Sequence, residues 1–180
     1  MPEWTFDSAH SGVTFSVRHM MVTTVRGQFQ EVKGRLNFDP NDPAASYVEA
    51  EIVAASITTG VADRDNHLRS ADFLDADNYP VLTFRSTRVE MTGENTARIT
   101  GDLTIRGKTL PAVLEAEYLG QIDSPFGDKR VGFSATTRIN REDWGLTWNR
   151  ALETGGVLVS KDIAISLDVQ AIQVMEPAGV

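Results

Sequence analysis

Apolar and polar side chains alternate with a period of two along most of this chain, the pattern of strands with one face in a core and the other in water. Val13, Phe15, Val17 and His19 share one face of the first such run, and the turn-forming group Trp4, Asp7, His10 and Ser11 stands just before it. Gly27-Gln28-Phe29 leads into Gly34-Arg35-Leu36-Asn37-Phe38, which stops at Asp39-Pro40-Asn41-Asp42-Pro43. Tyr47 to Ile57 follows, with Val48, Ala50 and Ile52 on one face. Further strands are expected over Val81–Met91, Ala97–Ile105, Ala112–Ile122, Arg130–Ile139 and Val157–Ile172. Their separators, Thr92-Gly93-Glu94-Asn95, Arg106-Gly107-Lys108 and Asp123 to Asp128, are rich in residues that tolerate turn geometry. About eight strands with short connections predict an all-β, antiparallel barrel or sandwich.

One stretch departs from the alternation. Ala62 to Ser70 places its acids early and Arg69 late, with Asp65 and Arg69 at i,i+4, which is helical charge order. A short turn, Asp72 to Asp75, ends before Tyr79-Pro80. This insertion, about residues 62–75, is expected to cap one end of a barrel, with Leu68, Phe73 and Leu74 facing down onto it.

Phe15, Val17, Leu36, Phe38, Ile52 and Leu82 are expected inside, and so are Phe84, Leu103, Ile105, Phe133, Ile165 and Leu167. An eight-stranded barrel is the size at which side chains either fill the interior or leave room for one ligand. Alternation alone does not separate the two cases. The 180 residues suffice for one domain with a sizeable core. A net charge of -8 and a pI near 4.8 exclude binding to nucleic acid or to an anionic membrane by bulk charge. The absence of cysteine excludes disulfides, thiolate metal sites and a cysteine nucleophile. No apolar run approaches the roughly 20 residues of a spanning helix. Met1-Pro2-Glu3-Trp4 has neither a basic nor an apolar leader region. The expectation is therefore a cytoplasmic protein, or a periplasmic or secreted one if a leader has been removed.

Gly101 to Thr109 looks like a phosphate loop, but five residues separate its glycines where the motif needs four. Pro111 and another alternating strand follow, so the segment reads as a hairpin turn. No G-x-S-x-G elbow occurs. His10, His19 and His67 fall on a turn, a strand and the cap helix, without the spacing of a preformed zinc site. Neither a metal nor another cofactor is expected. His10 reads as a hydrogen-bonding turn residue and His67 as part of the cap's packing or surface. His19 ends an apolar face, either as a satisfied core or rim histidine or as a donor to a polar ligand head. The loop Asn140 to Arg150 collects Arg141, Trp144, Trp148 and Arg150. Tryptophans at a barrel mouth suit an amphiphile. Arg141 or Arg150 either fixes the loop or meets a phosphate or carboxylate.

Seven blocks in order resemble the YceI-like family over nearly the whole length. They are Trp4-x-x-Asp7-x-x-His10-Ser11 with Phe15, Val17 and His19; Gly27-x-Phe29; Asp65-x-His67-Leu68-Arg69-Ser70-x-x-Phe73; and Tyr79-Pro80-x-Leu82-x-Phe84-x-Ser86. Gly101 to Gly107, Ile139-Asn140-Arg141-x-Asp143-Trp144-Gly145-Leu146 and Asp162-Ile163-x-Ile165-x-Leu167-x-Val169 complete the set. The resemblance implies an extended, eight-stranded, lipocalin-like barrel over residues 1–174 with a C-terminal tail, 175–180. It implies a homodimer, and an apolar interior holding a long isoprenoid chain with its polar head near a mouth. Many members are secreted to the periplasm. The small-residue turn usual before the last strand is here Ser160-Lys161.

The expected function is non-catalytic binding, storage or transport of an isoprenoid lipid, a polyprenyl phosphate or an isoprenoid quinone. Its expected ligand-binding residues are Phe15, Val17, His19, Phe38, Leu82, Phe84, Phe133, Arg141, Trp144 and Trp148. Two other readings stand beside it: an enzyme acting on a small amphiphile with His19 as general base, and a solidly packed barrel serving as an interaction module.

Overall fold

The computed structural model describes residues 1–150, 152 and 158–175. Among them the alternating runs form β1 (Glu3–Phe6), β2 (Gly12–His19), β3 (Thr23–Phe29), β4 (Val32–Asn37), β5 (Tyr47–Val53) and β6 (Ile57–Thr58). Then come helix α1 (Ala62–Arg69), β7 (Val81–Met91), β8 (Thr96–Ile105), β9 (Lys108–Asp123), β10 (Lys129–Asn140) and β11 (Asp162–Gln173). The order β1-β4-β5-β7-β8-β9-β10-β11 closes on itself through the pairing of β1 with β11, giving an eight-stranded antiparallel barrel. Closure leaves that ring without an open edge.

Three of the eight staves are broken in two, and β2, β3 and β6 continue β1, β4 and β5 towards one end. The breaks fall at the 3-10 turn Ser8–His10, at Gln30-Glu31 and at the 3-10 turn Ala54–Ser56, and they lie side by side. Backbone groups that lose their ladder partners find others across this crease. The Gln30 amide donates to the Ser56 carbonyl (3.2 Å), the Val53 amide to Glu31 (3.0 Å) and the Ser8 hydroxyl to Val32 (3.0 Å).

The turn before β2 is an ionic knot at this crease. The Asp7 carboxylate accepts from the Ala9 amide (3.1 Å), the His10 ring (2.6 Å) and the Arg130 guanidinium (2.9 Å). Arg130 also holds Asp128 and Gln170 (2.9 Å each), so β1, β10 and β11 are tied together. The hydrogen bond from His10, with help from the Ala9 amide and the charges of His10 and Arg130, holds the Asp7 carboxyl below the 3.8 of a free Asp. A lowered carboxyl stabilises the fold fully above its unfolded pKa, and the contribution is lost as pH falls through the native value. Asp7→Asn is therefore expected to cost about 1–2 kcal/mol at pH 7. In thermal melts the gap to the wild type should narrow below about pH 4. A gap of constant size from pH 7 to pH 3 would contradict the assignment.

The helix and the short turn of the insertion form as expected, with Phe73 and Leu74 buried against the barrel and Leu68 packed on its core. Asp65 and Arg69 do not pair with each other, contrary to the expected i,i+4 bridge. Arg69 turns instead to the crease, where backbone groups lack ladder partners, and Asp65 turns to Thr59 just beyond β6. Asp65 accepts from the Thr59 amide (2.8 Å) and hydroxyl, and Arg69 donates to the Ala55 and Ile57 carbonyls (2.8 and 2.9 Å). Burial alone would raise the Asp65 pKa, but its hydrogen bonds from Thr59 and Thr58 hold it below the usual range.

The last strand also differs from expectation, since it begins at Asp162 and not at Val157. Val157 lies outside the described residues, as does the tail beyond Met175. Leu158, Val159 and Ser160 are drawn to the end of β2 by backbone bonds from Met20 to Leu158 (2.7 Å) and from Ser160 to Arg18 (3.0 Å), and by a bridge between His19 and Val159. The phosphate-loop lookalike is the β8–β9 turn, with Arg106 and Gly107 at φ 49 and 74. Such a pair of left-handed residues suits a two-residue hairpin turn. A Cβ on Gly107 would also strike the Tyr79 ring.

Candidate ligand-binding cavity

The barrel is hollow. A cavity of about 520 Å³ runs along its axis, within the size range of small-molecule sites. All twelve side chains expected inside line it. Phe15, Phe133, Ile165 and Leu167 pack against the core yet are only partly buried, because part of each faces this space. The space has a structural origin. Ala97 pairs with Ala116 and Ala116 with Ala135, so three methyl groups stand in one row across β8, β9 and β10. All three line the cavity, and Ala50 on β5 does too.

The two ends of the cavity differ. At one end α1 and its following turns, the β8–β9 turn and the β10–β11 loop close over the strands. Phe73, Leu74 and Trp144 are 5–7% exposed there. The Trp144 indole N–H donates to the Leu103 carbonyl (2.9 Å), and Arg106 donates to Phe73 (3.1 Å). Phe73 also joins His67 and Trp148 in an aromatic cluster with ring centroids 4.5–5.4 Å apart.

Arg141 is the fastener of the capped end. It is 2% exposed and donates to four backbone carbonyls: Ser160 (2.9 Å), Leu146 (2.6 Å), Trp148 (2.9 Å) and Val159 (3.2 Å). Its guanidinium also lies 5.7 Å from the Phe73 ring centre. Burial pushes its pKa down, and among the described residues no carboxylate pairs with it.

At the opposite end the lining residues Pro40, Met91, Glu94, Asn95 and Thr96 are exposed, so the cavity meets solvent there. Just inside, Phe38, Tyr118 and Phe133 pack with centroids 5.0–5.5 Å apart. Burial raises the Tyr118 pKa. Ser46 also lines this end, and its hydroxyl is buried without a hydrogen-bond partner.

Phe15, Val17, Phe38, Leu82, Phe84, Phe133, Arg141 and Trp144 thus come together around one cavity. His19 and Trp148 do not line it. β2 ends at His19, which turns away with the hairpin Met20-Met21 and sits half-buried beside Val159. Trp148 packs against the His67 and Phe73 rings of the cap. Arg150 is exposed, away from the lining. Arg141 lines the cavity, but its donors face carbonyls. The expected mouth beside the Asn140–Arg150 loop is closed among the described residues. Sequence reasoning missed the alanine row, Ser46 and Tyr118. The alanines show only once the register of three strands is known, although small residues at inward positions were a readable hint.

His10 and Asp7 pair as the turn reading expected, and the Ser11 hydroxyl bonds Gln170 on β11 (3.1 Å). Trp4 is 1% exposed, and its indole N–H donates to the Phe38 carbonyl (3.1 Å). These motif residues build the barrel wall.

A closed eight-stranded barrel with a helical cap and an apolar axial cavity defines the class of lipocalin-like barrels. Within that class, the chain belongs to the YceI-like family, whose domain model matches residues 4–171. A UPF0312 protein of Staphylococcus aureus (strain N315) is 39% identical over 164 residues, covering 91% of this chain and 93% of the relative. Another, from Vibrio cholerae (strain ATCC 39315), is 39% identical over 138 residues, with 77% and 73% covered. Among solved structures, the YceI protein of Campylobacter jejuni superposes with a TM-score of 0.75 at 30% identity, covering 88% of this chain and 90% of that one. BcnA of Burkholderia cenocepacia shares the fold at a TM-score of 0.81 and 23% identity, covering 92% and 98%. So does a polyisoprenoid binding domain from Saccharophagus degradans, at 0.69 and 13% identity, covering 97% and 100%.

Proposed function

We propose that this protein binds a long-chain isoprenoid lipid in the barrel and stores it or carries it through water. The observation that supports this best is the 520 Å³ apolar cavity, closed by the cap at one end and open at the other. The polyisoprenoid binding domain of similar fold adds to it. Transfer of apolar surface from water is worth roughly 25 cal/mol per Å², so each buried C5 unit contributes on the order of 1–3 kcal/mol before ordering costs. Phe15, Val17, Leu82 and Phe84 would grip the tail. Binding without chemistry suits a lining that is mostly apolar, with Arg141 and Glu94, its charged residues among those described, at opposite ends. The proposal extends to a cytoplasmic homodimer, whose association state sedimentation in the presence and absence of lipid reports.

Calorimetric titration with an isoprenoid lipid tests the reading. The expected result is saturable one-to-one binding with a negative heat-capacity change, the mark of apolar burial. Absence of saturable heat up to the lipid's solubility limit would favour the interaction-module reading instead.

A further inference from the structure

One hairpin differs from the rest of the surface in both charge and hydropathy. From Gly12 to Gln30 the chain carries Arg18 and Arg26 and no Asp or Glu, although 25 acids give the whole chain a net charge of -8. This segment is the β2–β3 hairpin. Phe15 and Val17 face the cavity, so Ser16 and Arg18 face outwards, and Arg26 does too because it pairs with Ser16. Among the described residues neither arginine has a carboxylate partner. The neighbouring segment adds Lys161 and Asp162, one charge of each sign.

The tip of this hairpin is apolar. Met20, Met21 and Val22 are 46, 55 and 74% exposed, and among the described residues they neither join the hydrophobic core nor line the cavity. Met20 and Met21 also stand at φ 53 and 66, left-handed values that suit Asn and Gly and strain a methionine. The turn is nonetheless well held. The Val22 amide donates to the His19 carbonyl (3.2 Å) and the Met20 amide to the Leu158 carbonyl (2.7 Å). Three consecutive apolar side chains thus occupy an exposed turn whose backbone favours small polar residues. Packing within the chain does not offset that strain, whereas an apolar phase outside it would.

We infer that the β2–β3 hairpin docks this protein on an anionic membrane, with Met20, Met21 and Val22 entering the headgroup region and Arg18 and Arg26 meeting the anionic lipid heads. Exposed apolar side chains gain by leaving water there. The chain's overall charge repels such a surface, but that repulsion is screened over a Debye length, and the arginines of the hairpin stand at the point of contact. Docking lays the β2 wall of the cavity beside the bilayer. The inference is independent of what the cavity holds.

The test is flotation of the full chain with phosphatidylcholine vesicles, with and without phosphatidylglycerol, at low and at physiological salt. The wild type should float with the phosphatidylglycerol vesicles, less so as salt rises. Met20→Asn combined with Met21→Gly should lower the partition coefficient at least about tenfold. The same variant should keep or raise the melting temperature, because Asn-Gly suits this turn, so lost docking is separated from lost folding. Arg18→Ser combined with Arg26→Ser should weaken binding about tenfold and remove most of the preference for phosphatidylglycerol. Phe126 supplies the control, since it is 78% exposed on another turn but flanked by Asp123 and Asp128. Phe126→Ser should float like the wild type. Failure of the wild type to float overturns the inference, as does equal flotation of the Asn-Gly variant or an equal loss in Phe126→Ser. If sedimentation without vesicles shows that the Asn-Gly change dissociates a dimer, the tip is a contact between copies and the membrane assignment fails.

Discussion

Ala116→Trp is expected to weaken isoprenoid binding at least about 100-fold, equivalent to about 2.7 kcal/mol, while the barrel still folds. Ala116 is the middle of the methyl row across β8, β9 and β10 and faces the cavity. An indole there projects into space that the structure leaves empty. In a filled core such an insertion costs about 1–3 kcal/mol of overpacking. Here it finds apolar walls with unused surface, so new dispersion contacts offset much of that strain. The melting temperature should stay within about 5 °C of the wild type. Val113 on the same strand supplies the control, since it is 42% exposed on the outer face. Val113→Trp should leave binding unchanged. Equal binding by both variants would mean that the lipid does not occupy the barrel's interior.

The second large effect is on stability. Arg141→Met should lower stability by about 3–5 kcal/mol, seen as a fall in melting temperature of roughly 10 °C or more. Two effects oppose each other at this site. Removing a buried, unpaired guanidinium recovers its desolvation penalty, whereas the Ser160, Leu146 and Trp148 carbonyls lose their donor and Val159 keeps only that of Asn149. Each buried group left unsatisfied costs about 1–3 kcal/mol, so the carbonyls outweigh the charge. Arg141→Lys should recover only part of the loss, because an ammonium cannot span carbonyls contributed by both ends of the β10–β11 loop. A melting temperature within 2 °C of the wild type for Arg141→Met would show that water or loop rearrangement replaces the guanidinium.

The barrel wall was legible in the sequence because inward alternation depends only on local periodicity. The twelve residues read as interior all face one space, and the cap's helix and buried turn stand where charge order and the break in alternation put them. The i,i+4 rule failed at Asp65 and Arg69 because Thr59, just past β6, and the Ala55 and Ile57 carbonyls engage the two side chains instead, partners that no local pattern reveals. His19, read as either a core or rim histidine or a donor to a ligand head, lies off the lining, since alternation predicts its face only while β2 remains in the wall. Arg141 and Trp144 were singled out correctly as residues of one loop, but the loop folds them beneath a cap and not around a mouth. Which end is open, and hence where Ser46, Asn95 and Tyr118 stand, follows from strand pairing and not from composition.

The central claim is that the interior of this barrel holds an isoprenoid lipid. Native mass spectrometry tests it most directly, with wild type and Ala116→Trp incubated side by side with the same isoprenoid lipid. The account predicts a one-to-one lipid adduct on the wild-type chain that is absent from the variant. An adduct of equal abundance on both, or on neither, would contradict it.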